Sequence, residues 1–193
     1  HPIRRGIKAK YGPDIHVFGQ CAAAGDQCPA VIVRSRAEKL MLERRKISWK
    51  EELANRVVRA VDDVWPYAQV DVQTRPVFAH RVLELDVPNK NSYNEARWMP
   101  STVPVELHVL RLGDVAIATN PFELFLDYGI RIKGRSKAVL TFLSQLTCDH
   151  HGYLPTRRAV AGGDYSAVNH TVGPRGGGVL VDESVTAINS LWP

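Results

Sequence analysis

Sulfur is scarce in this chain: three cysteines and two methionines among 193 residues. Cys21, Cys28 and Cys148 form no C-x-x-C pair and no dense framework, which excludes a zinc ribbon and a disulfide scaffold. A Cys21–Cys28 bridge has no geometric support in the spacing alone. No apolar run approaches the roughly eighteen residues of a membrane span. Aromatic residues do not interleave with the basic stretches Arg4-Arg5-Gly6-Ile7-Lys8-Ala9-Lys10 and Glu43-Arg44-Arg45-Lys46. The formal net charge of +5 therefore reads as solvated surface, and no specific nucleic-acid binding is expected. Internal repeats and low-complexity tracts are missing too. The chain starts at His1 with neither Met nor a signal-like segment. It closes on Ile188-Asn189-Ser190-Leu191-Trp192-Pro193, the finish of a last helix. The expectation is a C-terminal piece of a longer protein.

What is present is a mixed α/β pattern. Residues 1–11 read as a helix stopped by Gly12-Pro13. Asp14-Ile15-His16-Val17-Phe18-Gly19 reads as a buried strand. Helical patterning runs from Val31 to Glu43. A second helix starts at Ser48, which forms a capping box with Glu51. Its apolar stripe, Leu53, Val57, Val61 and Val64, predicts a core-facing side, and Trp65-Pro66 ends it. Alternation predicts strands at Val70–Thr74, Val77–Leu85, Val103–Leu112 and, after a Gly113-Asp114 turn, Val115–Thr119. The polar stretch 86–102 reads as a long surface loop. A helix is expected from Asn120-Pro121 to about Arg135, a strand at Val139–Leu146, and loop from 147 to 178. A last helix carries Val181, Val185, Ile188 and Leu191. The fold class that follows is α/β, a mixed sheet flanked by helices.

Three segments that follow strands carry polar groups, and reactive groups gather beyond strand ends in such sheets. The first is the small-residue turn Cys21-Ala22-Ala23-Ala24-Gly25-Asp26-Gln27-Cys28-Pro29. It lets the backbone approach closely and presents a thiol. Small residues and a cysteine serve an inert strand end equally well. The second is Asn120-Pro121-Phe122-Glu123, which puts Glu123 in the first turn of its helix, where the dipole alone favours a carboxylate. The third is Cys148-Asp149-His150-His151-Gly152-Tyr153. Carboxylate, phenol and adjacent histidines can line a metal site, although His-His pairs also occur on plain surface loops.

Taken in order, A-A-A-G-D-Q-C-P, R-L-G-D-V-A-I-A-T-N-P-F-E-L-F, G-Y-L-P-T, G-G-D-Y-S-A and V-G-P-R-G-G resemble the C-terminal half of the catalytic domain of neutral/alkaline (non-lysosomal) ceramidases. The nearest likeness is to bacterial ceramidase-like proteins. The resemblance covers nearly the whole chain and makes it part of a larger catalytic domain whose N-terminal half is absent. It implies a zinc-dependent amide hydrolase that cleaves the N-acyl bond of a sphingolipid or related lipid amide. It implies Glu123 and Tyr153 as zinc ligands, with two further histidines in the missing half; His150 and His151 do not match those. It places Tyr165 at the substrate amide as a catalytic and binding residue, and Gly25 and Asp26 in the substrate-binding turn. Cys28 stands where the family has its serine, in the catalytic position. A thiolate is both a better nucleophile and a zinc ligand. The same exchange fits an alternative, a non-catalytic paralogue that keeps the fold for binding or assembly. The resemblance also implies a secreted, periplasmic or membrane-surface location.

Overall fold

The computed structural model describes residues 1–29, 32–68, 77–89 and 101–193. They fall into two compact units. One holds the described residues of His1–Gly19 and Cys28–Gln73, the other those of Gln20–Gln27 and Thr74–Pro193.

The N-terminal unit is helical. Helix α1 (Pro2–Tyr11) starts on a proline and stops at Gly12, whose φ of 111° only glycine adopts freely. Helix α2 (Ser35–Arg45) buries none of its residues. Helix α3 (Trp49–Val64) begins on the expected box: Glu51 N donates to Ser48 Oγ at 3.2 Å, and Ser48 N donates to Glu51 Oε2 at 2.7 Å. The predicted apolar stripe is only partly covered: Val57 is 37% and Val64 63% exposed. The reason is local. α3 packs on α1, where a side chain at Gly6 would strike Val58, and its fully buried residues are Glu52 and Ala54. The run 15–20 is not a strand; it is irregular, with Phe18 89% exposed. An apolar run needs a hydrogen-bonding neighbour to become a strand, and this one has none among the described residues.

Glu52 fastens α2 to α3. Its buried carboxylate receives Arg45 at 2.5 Å, Arg56 at 2.9 Å and Arg59 at 3.3 Å, and Arg56 also pairs with Glu38. The hydrogen bond from Arg56, then Arg59 and the Arg45 charge, hold the Glu52 carboxyl below the usual carboxylate range. A depressed folded-state pKa stabilises above the unfolded value and loses that contribution as pH falls through the folded one. Helical order in this unit should therefore weaken on acidification from about pH 4.5 downward. Glu52→Gln should make it weaker at pH 7 and flatten the pH dependence. Amide exchange in α2 and α3 at pH 7 and pH 3 reads both effects; equal acid sensitivity in the variant counts against this account.

The larger unit is built on a four-stranded sheet, β1 (Phe78–Pro88), β2 (Thr102–Leu112), β3 (Val115–Thr119) and β5 (Leu140–Ser144), in that order. β1, β2 and β3 run antiparallel, and β5 joins β3 in parallel, so the sheet is mixed. Between β3 and β5 the chain makes a two-residue strand β4 (Glu123–Leu124) and helix α4 (Leu126–Arg135). β6 (Tyr153–Leu154), α5 (Arg157–Gly162), α6 (Tyr165–Val168) and α7 (Pro174–Asn189) complete it. Alternate strand residues, Val105, Leu107 and Val109 with Ala116, Ala118 and Leu143, form the core with Tyr128 and Ile132 of α4 and Leu180, Val181 and Ile188 of α7. The strand expected at Val70–Thr74, and residues 90–100 of the expected loop, lie outside the described residues.

Two expectations are corrected here. The glycine run after Arg175 is helix, not loop: α7 starts at Pro174. A glycine in a helix costs about 1 kcal/mol against alanine, and close packing offsets it. A Cβ on Gly176 would lie 2.2 Å from Val172 Cγ1, and one on Gly177 2.4 Å from the Tyr128 ring. The other correction concerns residues 120–125. Asn120 Oδ1 accepts from Phe122 N at 3.1 Å, a local turn that competes with helix. The helix therefore begins at Leu126, and Glu123 sits in β4 rather than at a helix N-terminus.

Candidate functional site

β4 and β6 pair in parallel, and the register sets Glu123 directly against Tyr153. Two short strands hold their positions by bonds from outside. Glu123 N donates to Gly152 O at 2.9 Å, and His151 N donates to Pro121 O at 3.0 Å. Gly152 turns the chain at φ 70° just before Tyr153. Burial, then the charge and hydrogen bond of the Glu123 carboxylate, then Tyr165, hold the Tyr153 phenol above its ordinary pKa. The Tyr153 and Tyr165 rings meet edge to face, 6.0 Å between centroids. Tyr165 opens α6, with Asp164 Oδ1 accepting from its amide at 2.7 Å, and is 69% exposed. Carboxylate, phenol and exposed phenol thus stand in one row.

The segment 20–27 forms the back of this row. Gly25 N donates to Leu124 O at 2.8 Å. A Cβ on Gly25 would lie 2.2 Å from the Glu123 carbonyl oxygen, so only glycine fits against β4. Asp26 Oδ1 accepts from Leu126 N at 2.8 Å and so caps α4 from a hundred residues away. The structure also adds a residue the motifs did not flag. Gln145, buried at the end of β5, accepts through Oε1 from Ala24 N at 3.2 Å and from Leu124 N at 3.1 Å. Its backbone N donates to Cys21 O at 3.0 Å. A lone carboxamide inside the apolar run Phe142–Leu146 was the available signal.

Of the residues singled out in the sequence, Glu123, Tyr153 and Tyr165 come together, with Gly25 and Asp26 behind them. Cys28 belongs to the N-terminal unit, where its thiol is free and exposed. His150 Nε2 lies 4.0 Å from Glu123 Oε1 and is mostly exposed. His151 turns its Nε2 to Asp149 at 3.4 Å and packs its ring against Phe122.

No family model matches the chain, and no curated protein does. Solved structures do. The neutral ceramidase from Pseudomonas aeruginosa matches over 74% of this chain and 32% of its own, at 13% identity and a TM-score of 0.53. The fold is ceramidase-like. A structure described as ceramidase complexed with C2 matches over 51% of this chain and 16% of its own, at 18% identity and a TM-score of 0.42. The chain therefore spans about a third or less of the length of these ceramidases. Within the ceramidase-like fold no helix of the described residues is long and apolar enough to cross a membrane.

Glu123 and Tyr153 are two neighbouring oxygen donors. A catalytic zinc takes three protein ligands, so this pair alone is not a complete site.

Proposed function

We propose that this chain is the C-terminal portion of the catalytic domain of a zinc-dependent amide hydrolase of the neutral ceramidase type. Its substrate class is the N-acyl amide of a sphingolipid or a related lipid amide. One observation carries the reading: the register of β4 on β6 sets Glu123 against Tyr153, the two residues the family resemblance assigns to zinc. Histidines from outside this chain would complete the ligand set. Bound zinc would supply Lewis-acid polarisation to the scissile carbonyl. Glu123 brings a negative charge. Tyr153 brings a phenol oxygen, whose pKa burial and then the Glu123 carboxylate hold above the ordinary value. Tyr165, exposed beside it, is placed to hydrogen-bond the amide or the oxyanion that develops from it. Gly25 and Asp26 hold the turn behind the site, and Cys28 follows them in sequence, where the family resemblance implies a serine.

A second reading, a non-catalytic paralogue, rests on Cys28 in place of that serine. Zinc content and lipid-amide hydrolysis of the full-length protein separate the two. The hydrolase reading expects the Glu123→Ala/Tyr153→Phe double variant to bind one equivalent of zinc fewer than the parent and to lose activity. A zinc stoichiometry equal to the parent's in that variant refutes the ligand assignment, and no hydrolysis by zinc-loaded protein favours the paralogue. Activity unchanged in Cys28→Ala removes the thiol from the reaction.

A further inference from the structure

On the sheet face turned away from the core, β1 and β2 place two carboxylates opposite each other: Glu84 and Glu106 are direct cross-strand partners. Like charges in that relation repel, and nothing in the proposed amide-hydrolase site uses them. His108 follows two residues after Glu106 on the same face. Its Nε2 lies 2.9 Å from Glu106 Oε1, and its Nδ1 lies 2.8 Å from His80 Nε2. The chain beyond β5 brings the Cys148 thiol beside the Glu106 carboxylate. Cys148 holds a left-handed backbone, φ 71°, which residues other than glycine seldom adopt. One ligand atom from each of Glu106, His108 and Cys148 lies within 4.8 Å of the other two. The cluster opens on a groove of ≈ 540 Å³ that Glu84, Asp86 and Asp149 also line.

We propose that Glu106, His108 and Cys148 bind a divalent transition-metal ion of the zinc class, at a site separate from Glu123 and Tyr153. One carboxylate oxygen, one imidazole nitrogen and one thiolate make a mixed donor set that suits zinc better than calcium or magnesium. Tetrahedral bonds of the usual length put ligand atoms about 3.3–3.8 Å apart, so a side-chain rotation closes the present cluster onto the ion. The groove leaves a fourth position to water. Binding releases the Cys148 proton to solvent. The divalent charge then balances one thiolate and one carboxylate and relieves the Glu84–Glu106 repulsion. With the metal on His108 Nε2, the ring proton sits on Nδ1 and is donated to His80 Nε2, which makes His80 a positioning residue.

Cobalt(II) added to the 193-residue chain tests this, because a cobalt–thiolate bond gives a charge-transfer absorption in the near ultraviolet. The expected result is that absorption at one equivalent, lost in Cys148→Ser and kept in Cys21→Ser/Cys28→Ser. Glu106→Gln and His80→Ala should each weaken cobalt affinity about tenfold or more. Glu123→Ala/Tyr153→Phe should leave the absorption intact, which keeps this outcome independent of the hydrolase reading. Cys148 is exposed, and unchanged circular dichroism of Cys148→Ser will show that it folds. No absorption, absorption that survives Cys148→Ser, or absorption lost with Cys21 and Cys28 overturns the proposal.

Discussion

Gln145→Leu should destabilise the larger unit by about 2–4 kcal/mol. The side chain is nearly isosteric with glutamine, so volume is not the issue. One oxygen, Oε1, accepts from both Leu124 N and Ala24 N. Leucine leaves the first donor buried and the second part-buried without a partner, and each orphaned buried donor costs about 1–3 kcal/mol. For a unit of this size that is a fall in melting temperature on the order of 10 °C. Thermal unfolding followed by circular dichroism measures it. A melting temperature within about 2 °C of the parent would mean that the carboxamide is not the link it looks to be. The effect should also be local first. Amide exchange at Leu124 should accelerate well before exchange in β2 does, because the sheet core does not depend on Gln145.

Gly25→Ala is expected to act on the same place by steric force. The new Cβ would meet the Glu123 carbonyl oxygen at 2.2 Å and its carbon at 2.7 Å. Both are backbone atoms, so no rotamer change can make room. Either segment 20–27 lifts off or β4 moves, at a cost of about 1–3 kcal/mol. Lifting breaks the Gly25 N to Leu124 O bond. Moving β4 shifts Glu123 away from Tyr153. Glycine-to-alanine changes elsewhere give the contrast. A Cβ on Gly178, inside α7, meets nothing within 4 Å, and alanine there should stabilise by about 0.5–1 kcal/mol. Opposite signs in the two variants, read from melting temperatures, are the expected outcome. A stabilising Gly25→Ala would show that the segment is not packed on β4.

Much of the frame was legible because it rests on local rules. The β2–β3 hairpin follows from alternation around Gly113-Asp114, and the start of α3 from the Ser48–Glu51 box. The buried stripe of α7, Val181, Val185 and Ile188, follows from helical spacing. The misread places are those where distant contacts decide. Gly176 and Gly177 look like a loop until Tyr128, Val87 and Val172 fill the space beside them. Ile15 to Phe18 look like a strand, yet no neighbour among the described residues pairs with them. A two-residue strand such as β4 has no period to read, so the contact of Glu123 with Tyr153 was beyond any pattern within either segment. Both residues stood out as polar groups beyond strand ends, and the ceramidase resemblance assigned them to one zinc. Gln145 was hidden because a single buried amide has no spacing signature.

The docking of residues 20–27 also sets an order of events during synthesis. Ala24 is made 121 residues before Gln145, its hydrogen-bond partner. At roughly 5–20 residues per second on the ribosome, that is a wait of about 6–24 s. Throughout it the early segment carries a free thiol at Cys21 and amides with no acceptor. The small β4–β6 sheet is therefore among the last parts of the molecule to close. Its assembly depends on how long a nascent chain can keep that segment from pairing with something else.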